Sequence, residues 1–116
     1  MKNKTNDIDR YIFTPISIEE DGVKIIYRIG PNHTCEIIDI YSITKNQGNG
    51  TRIYEKFELE MKNKYGIKNI YAFARFSNNN AARWYDRMGF VIGVVKNFYY
   101  DEIDGQALLC TKKLEY

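Results

Sequence analysis

Cysteine and histidine are scarce in this chain, with two of the first and one of the second among 116 residues. Cys35 and Cys110 stand in separate strand-like runs. Free buried thiols in a reducing cytoplasm are therefore expected rather than a disulfide. His33 stands alone, and no Cys/His cluster has metal-ligand spacing, which argues against a metal site. An excess of charge is missing too, since the net charge is only +2. That gives no basis for binding nucleic acid or an anionic membrane, which draw on a basic patch. No apolar run approaches the ~18 residues of a membrane-spanning helix. The polar and charged stretch Met1 to Arg10 does not read as a signal peptide. Residues 1–9 read as a loose terminus.

What is present is globular. Hydrophobic residues make up 44% of the chain and ten tyrosines add aromatic bulk, enough for one domain over residues 1–116 with a modest core. Tyr11 to Ile18 and Val23 to Ile29 read as strands joined by an Asp21-Gly22 hairpin turn. Gly30-Pro31-Asn32 is a second turn. Cys35 to Ser42 reads as a buried central strand, apolar on both faces at its centre. From Thr51 the period changes: Ile53, Tyr54, Phe57, Met61 and Tyr65 recur at helical spacing until Gly66. Lys68 to Phe76 is a strand. Asn78 caps a short helix that ends at Gly89, with Phe90 placed to fold back on Tyr85 or Trp84. Phe90 to Val95 and Gln106 to Leu114 close the chain. The order is β-β-β-α-β-α-β-β, an α+β or mixed α/β sheet with a right-handed β-α-β unit at its centre.

Two segments carry the chemistry. Lys45-Asn46-Gln47-Gly48-Asn49-Gly50-Thr51 lies between a strand and a helix. Glycines there leave backbone N–H groups open to a ligand, and the helix N-terminus favours an anion such as a pyrophosphate. Alone, a Gly-x-Gly turn is a weak signal. The second segment runs from Asn78 through Ala81, Ala82, Trp84 and Tyr85 to Gly89 and Phe90.

Together they resemble the GNAT acetyltransferase superfamily. The loop matches its pattern as Lys45-x-x-Gly48-x-Gly50, and Asn78, Ala81, Ala82, Tyr85, Gly89 and Phe90 match its second motif. The resemblance covers residues 35 to 114. Lys45 replaces the usual Gln or Arg, which keeps a donor and loses bidentate geometry. The family also usually has a strand and two helices near its N-terminus; here residues 1–34 show no amphipathic helix, so the fold is expected to be a GNAT-like mixed sheet truncated at the N-terminus.

The resemblance implies acetyl-coenzyme A as donor. Backbone groups of residues 46–51 would hold its pyrophosphate, Ile38 and Ile40 would pair with its pantetheine arm as a peptide adds to a strand edge, and Asn78 would contact it as well as cap the helix. Ala72 and Ala74 are small enough to admit the arm, or simply pack in the sheet. Tyr85 would protonate the leaving thiolate, unless it is a core tyrosine. A thiolate with pKa near ~8.5 and a phenol near ~10 differ by about 1.5 units, roughly 2 kcal/mol, tolerable in an enzyme. For the general base, Glu36 matches a position where relatives carry it. Strand alternation sends Glu36 and Asp39 to opposite faces, and Asp39 or a water chain remains open. Phe98 to Gly105 mixes aromatics with three acids and suits a cationic amine, or is an ordinary hairpin.

The function implied is N-acetyl transfer to a primary amine of a small molecule or peptide. Two alternatives stand: a coenzyme-A-binding module without turnover, and a protein-interaction domain on the same fold. If both helices cover one sheet face, the other is bare. Alternation puts Cys35, Ile37 and Tyr41 on one side of the core strand and Glu36, Ile38 and Ile40 on the other. A homodimer covering the bare face is expected.

Overall fold

A computed structural model describes residues 14–42, 49–96 and 105–115. The elements are β1 (Ile16–Glu20), β2 (Val23–Gly30), β3 (Thr34–Ser42), α1 (Asn49–Tyr65), β4 (Asn69–Arg75), α2 (Asn79–Arg87), β5 (Val91–Val95) and β6 (Ala107–Lys113). This is the expected element order. The strands form one mixed sheet in the order β1-β2-β3-β4-β6-β5. β3 and β4 are parallel, and every other neighbouring pair is antiparallel. The expected first strand began at Tyr11, but residues 11–13 lie outside the described residues, as do 43–48 and 97–104.

Local chemistry accounts for the turns. Between β1 and β2, Asp21 and Gly22 both take positive φ, 52° and 80°. That is the two-residue turn whose twist matches a right-twisted hairpin, and Asp and Gly tolerate it at low cost. Asn78 caps α2 through its Oδ1, which accepts from the Ala81 N–H at 3.0 Å. At the other end Gly89 takes φ 95°. Its N–H donates to the Asp86 carbonyl and the Phe90 N–H to the Tyr85 carbonyl at 2.9 Å. These are the paired bonds of a Schellman stop. The Phe90 ring then lies edge-on to Tyr85, centroids 5.0 Å apart, as the spacing Tyr85-to-Phe90 predicts.

Both helices pack on the same face of the sheet. Ile53, Tyr54, Phe57 and Met61 of α1 are buried, and Phe57 stands edge-on to Tyr27 of β2 at 5.2 Å. Tyr54 touches Trp84 of α2 at 5.4 Å, so the helices meet over the sheet. On the outer side of α1, Arg52 pairs with Asp21 and Lys56 with Glu20 at 2.8 Å, tying the helix to the β1–β2 hairpin. A half-buried ion pair, Lys112 with Glu58 at 2.8 Å, joins β6 to α1, and the same ammonium donates to the Met88 carbonyl at 2.7 Å. Among the described residues no helix covers the opposite face, which carries Ile26, Tyr71, Phe73 and Leu109 between charged neighbours.

The core strand departs from simple alternation. Ile26 pairs with Asp39, but the next residue, Tyr27, pairs with Ile37. Ile38 is thus an extra residue on β3, a bulge. Cross-strand partners share a face, so Cys35, Ile37 and Ile40 point to the helices while Glu36, Asp39 and Tyr41 point away. Two expectations are corrected by that one insertion. Glu36 and Asp39 stand on the same face rather than opposite ones. Tyr41 leaves the face of Cys35 and Ile37, and Ile40 joins it.

Candidate functional site

The sheet opens where β3 and β4 should continue side by side. Their parallel pairing runs from Thr34 with Asn69 to Ile37 with Ala72 and stops there. β3 goes on to Ser42 and β4 to Arg75, each bonded only to its outer neighbour, β2 or β6. The parting begins at the Ile38 bulge, which increases local twist and bends the strand. Backbone groups from Ile38 to Ser42 therefore have no strand partner on the β4 side, an edge that an extended ligand can pair with.

A cavity of about 340 Å³ lies on the helix side of this opening. Its walls come from four elements. β3 supplies Ile40 and Tyr41, α1 supplies Gly50, the start of α2 supplies Asn78, Asn80 and Ala81, and its middle supplies Trp84 and Tyr85; Val23 closes the hairpin side. The N-termini of both helices thus meet at one cavity. Neither helix has an acidic residue in its first turn. Both dipoles present their positive ends there, undiminished by a carboxylate, and the lining favours an anionic ligand group.

Gly50 sits in the first turn of α1, because the helix begins at Asn49, two residues earlier than Thr51. Its φ is not in the left-handed region, so no backbone strain requires glycine here. A Cβ would point toward the Trp84 indole nitrogen, 3.8 Å away. Among the described residues the missing side chain leaves the space between Gly50 and the Trp84 indole unfilled. Lys45, Asn46, Gln47 and Gly48, the rest of the expected loop, lie outside the described residues.

Tyr85 is 6% exposed and lines the cavity. Its ring is fixed edge-on by Trp84 at 5.2 Å and Phe90 at 5.0 Å. Asn78 lines the same wall; its side-chain oxygen is spent on the cap, which leaves its amide N–H₂ for a ligand. Of the two isoleucines expected at the strand edge, Ile40 lines the cavity and Ile38 is an exposed residue at the bulge.

Glu36 is placed differently. It lies on the face away from Tyr85, level with the paired part of the strands, and holds Arg28 at 2.8 Å. Burial, with Glu36 nearby, pushes the neighbouring Tyr71 phenol up. Asp39 is exposed on that same face, where the strands have already parted. The acid-rich run from Phe98 lies outside the described residues apart from Gly105.

The thiols take no part in the cavity. Cys35 and Cys110 are free and buried in the core. Burial pushes them up to about 12 and about 11, which keeps them protonated and unreactive at neutral pH. Among the described residues no three His, Cys, Asp or Glu side chains converge as metal ligands. No helix there is long and apolar enough to cross a membrane.

Sequence reasoning missed Trp84, Tyr41, Val23 and Asn80 as lining residues. Trp84 had one available signal, its position beside Tyr85 and three residues after Ala81 on a helix. Tyr41 had none: it borders the cavity although its register turns it to the other face of the sheet, so strand alternation does not flag it.

Comparison with known proteins gives the following. The model of the acetyltransferase (GNAT) family matches residues 11–90. A Bacillus subtilis acetyltransferase solved in complex with coenzyme A superposes with a TM-score of 0.71 at 19% identity, covering 98% of this chain and 96% of that one. A putative streptothricin acetyltransferase from Bacillus anthracis, in complex with acetyl coenzyme A, also gives 0.71 at 19% identity over 97% of this chain and 70% of that one. Ard1 from Thermoplasma volcanium gives 0.68 at 18% identity over 81% of this chain, which spans 64% of the length of that structure. No curated protein matches the sequence.

Proposed function

The chain belongs to the acetyltransferase (GNAT) family, and from that premise we propose that it transfers an acetyl group from acetyl-coenzyme A to a primary amine. The observation that carries the proposal is the parting of β3 and β4 onto a cavity that Tyr85 and the N-termini of both helices line. Fold alone does not grant function. At 18–19% identity the structural neighbours support the fold only, and their acceptors are not carried over.

The residues divide the work as follows. The α1 N-terminus at Gly50 takes the negative charge of the coenzyme's pyrophosphate, with the loop residues 45–48 preceding it in the chain. The unpaired edge of β3 around Ile38 and Ile40 aligns the pantetheine arm, and Asn78 offers its amide N–H₂. The amine nitrogen attacks the thioester carbonyl directly. A C–N bond forms, the C–S bond breaks, the phenolic proton of Tyr85 passes to the departing thiolate, and the proton shed by the new amide nitrogen returns through water to the tyrosinate. Backbone N–H groups on the open β3 edge stabilise the oxyanion in between.

The attacking amine must first lose a proton. Glu36 and Asp39 both face the side opposite Tyr85. An amine arriving from that side meets them before it reaches the thioester. Glu36 is held by Arg28, whereas Asp39 is exposed at the gap; Glu36, Asp39 or a water is the base. Release of free coenzyme A thiol together with acetylated amine, across peptide N-termini, lysine, polyamines and small drug-like amines, tests the proposal. Binding of the coenzyme without acetylation of any of them would favour a binding module instead.

The open sheet face motivates a further part of this reading. Ile26, Tyr71, Phe73 and Leu109 lie there uncovered by any described helix. We expect a two-fold homodimer that covers this face. Light scattering at micromolar concentration should give a dimer mass, and a clean monomer with full activity would contradict it.

A further inference from the structure

Trp84 stands at the same cavity as Tyr85 but takes no part in the reaction described above. Its ring is held between two others, edge-on to Tyr54 at 5.4 Å and 88° and to Tyr85 at 5.2 Å and 83°. Those two edge contacts restrain the ring. The nitrogen lies 3.8 Å from where a Cβ on Gly50 would be, at the N-terminus of α1. Both residues line the cavity. Among the described residues the indole N–H has no hydrogen-bond partner. An indole N–H can only donate, so what it meets there must be an acceptor. Among the described residues no side chain fills the intervening space, and the first turns of α1 and α2 contain no carboxylate to fill the role.

We infer that the Trp84 indole N–H is a side-chain donor to the phosphate groups held at the start of α1, and that it sets the preference for a pyrophosphate-bearing thioester over one lacking phosphate. The inference rests on the acetyl-coenzyme A reading. It adds a ligand contact from α2 to a subsite otherwise made of α1 backbone. Because the same helix carries Tyr85 one residue further on, phosphate binding and thioester placement are then set by one rigid element.

Trp84 is the only tryptophan in the chain, so its indole N–H gives a single resonance in a ¹⁵N–¹H spectrum of the unaltered protein. Coenzyme A, and more weakly inorganic pyrophosphate, should move that resonance downfield in a saturable way. A resonance unmoved by saturating coenzyme A overturns the inference, and if the coenzyme does not bind at all the acetyl-coenzyme A reading falls with it. The second arm is Trp84→Phe, which keeps an aromatic ring against Tyr54 and Tyr85 and removes the donor. Coenzyme A affinity should fall about tenfold to a hundredfold, the effect of losing a hydrogen bond to a charged group. The turnover rate at saturating acetyl-coenzyme A should fall by a smaller factor than the affinity does. The kcat/KM for a short acetyl thioester without phosphate, S-acetyl-N-acetylcysteamine, should fall by a factor at least about fivefold smaller than that for acetyl-coenzyme A. Equal losses with both donors would mean that Trp84 only packs, and an unchanged coenzyme A affinity would remove it from the site.

Discussion

Replacing Tyr85 by phenylalanine is expected to lower acetyl transfer about 10²-fold or more, in the range for loss of a general acid, while coenzyme A affinity stays nearly unchanged. The expectation comes from what the substitution removes and what it keeps. The phenylalanine ring preserves the edge contacts with Trp84 and Phe90 and the Schellman stop beneath them. The lost atom is the hydroxyl on a residue that is 6% exposed and faces the cavity. Without it the departing thiolate must take its proton from water. Steady-state turnover beside coenzyme A titration separates the two effects. A variant with full turnover, under conditions where chemistry limits the rate, would make Tyr85 a core residue only.

The second large effect concerns the other wall. Gly50→Glu should abolish the thermal shift produced by coenzyme A while the apo protein stays folded. Among the described residues nothing at Gly50 resists a side chain, because its φ is ordinary and its Cβ would meet the Trp84 nitrogen at van der Waals distance. Within a helix a non-glycine residue is intrinsically favoured, and an acid in the first turn complements the dipole. Apo stability should therefore stay level or rise slightly. The new carboxylate, however, occupies the space beside the Trp84 indole and repels a pyrophosphate. Opposite outcomes for apo stability and ligand response distinguish a blocked site from a damaged fold. A thermal shift equal to that of the unaltered protein would show that coenzyme A does not use this end of α1.

Much of the fold was legible because its signals are local. Ile53, Phe57 and Met61 repeat at helical spacing and are buried as that spacing requires. Asn78 and Gly89 bracket α2 with side-chain and backbone chemistry that needs no tertiary partner. Asp21-Gly22 specifies its turn in the same way. The bulge at Ile38 was not legible. An extra residue in an isoleucine-rich strand leaves no mark on composition or period, and the pairing partner decides where the register slips. Everything downstream of it went the same way: the face of Asp39, the face of Tyr41 and the point at which β3 leaves β4. The helical period begins at Thr51, whereas α1 also takes in Asn49 and Gly50, both poor helix formers. Trp84 read as a neighbour of Tyr85 rather than of Gly50, since α1 and α2 are brought together only by their shared sheet face. Gly50, Asn78 and Tyr85, which the motifs pick out, line one cavity, whereas the placement of Glu36 and Asp39 depends on a register visible only in three dimensions.

The central claim is that this cavity transfers an acetyl group rather than merely holding a coenzyme. Its most direct test is to incubate the protein with acetyl-coenzyme A and a panel of primary amines and to follow two products together, free coenzyme A thiol and the acetylated amine by mass. The account predicts that both appear in equal amounts with at least one amine class, and that Tyr85→Phe suppresses them in parallel. Saturable coenzyme A binding with no acetylated amine from any class, peptide, lysine, polyamine or small drug-like amine, would contradict it.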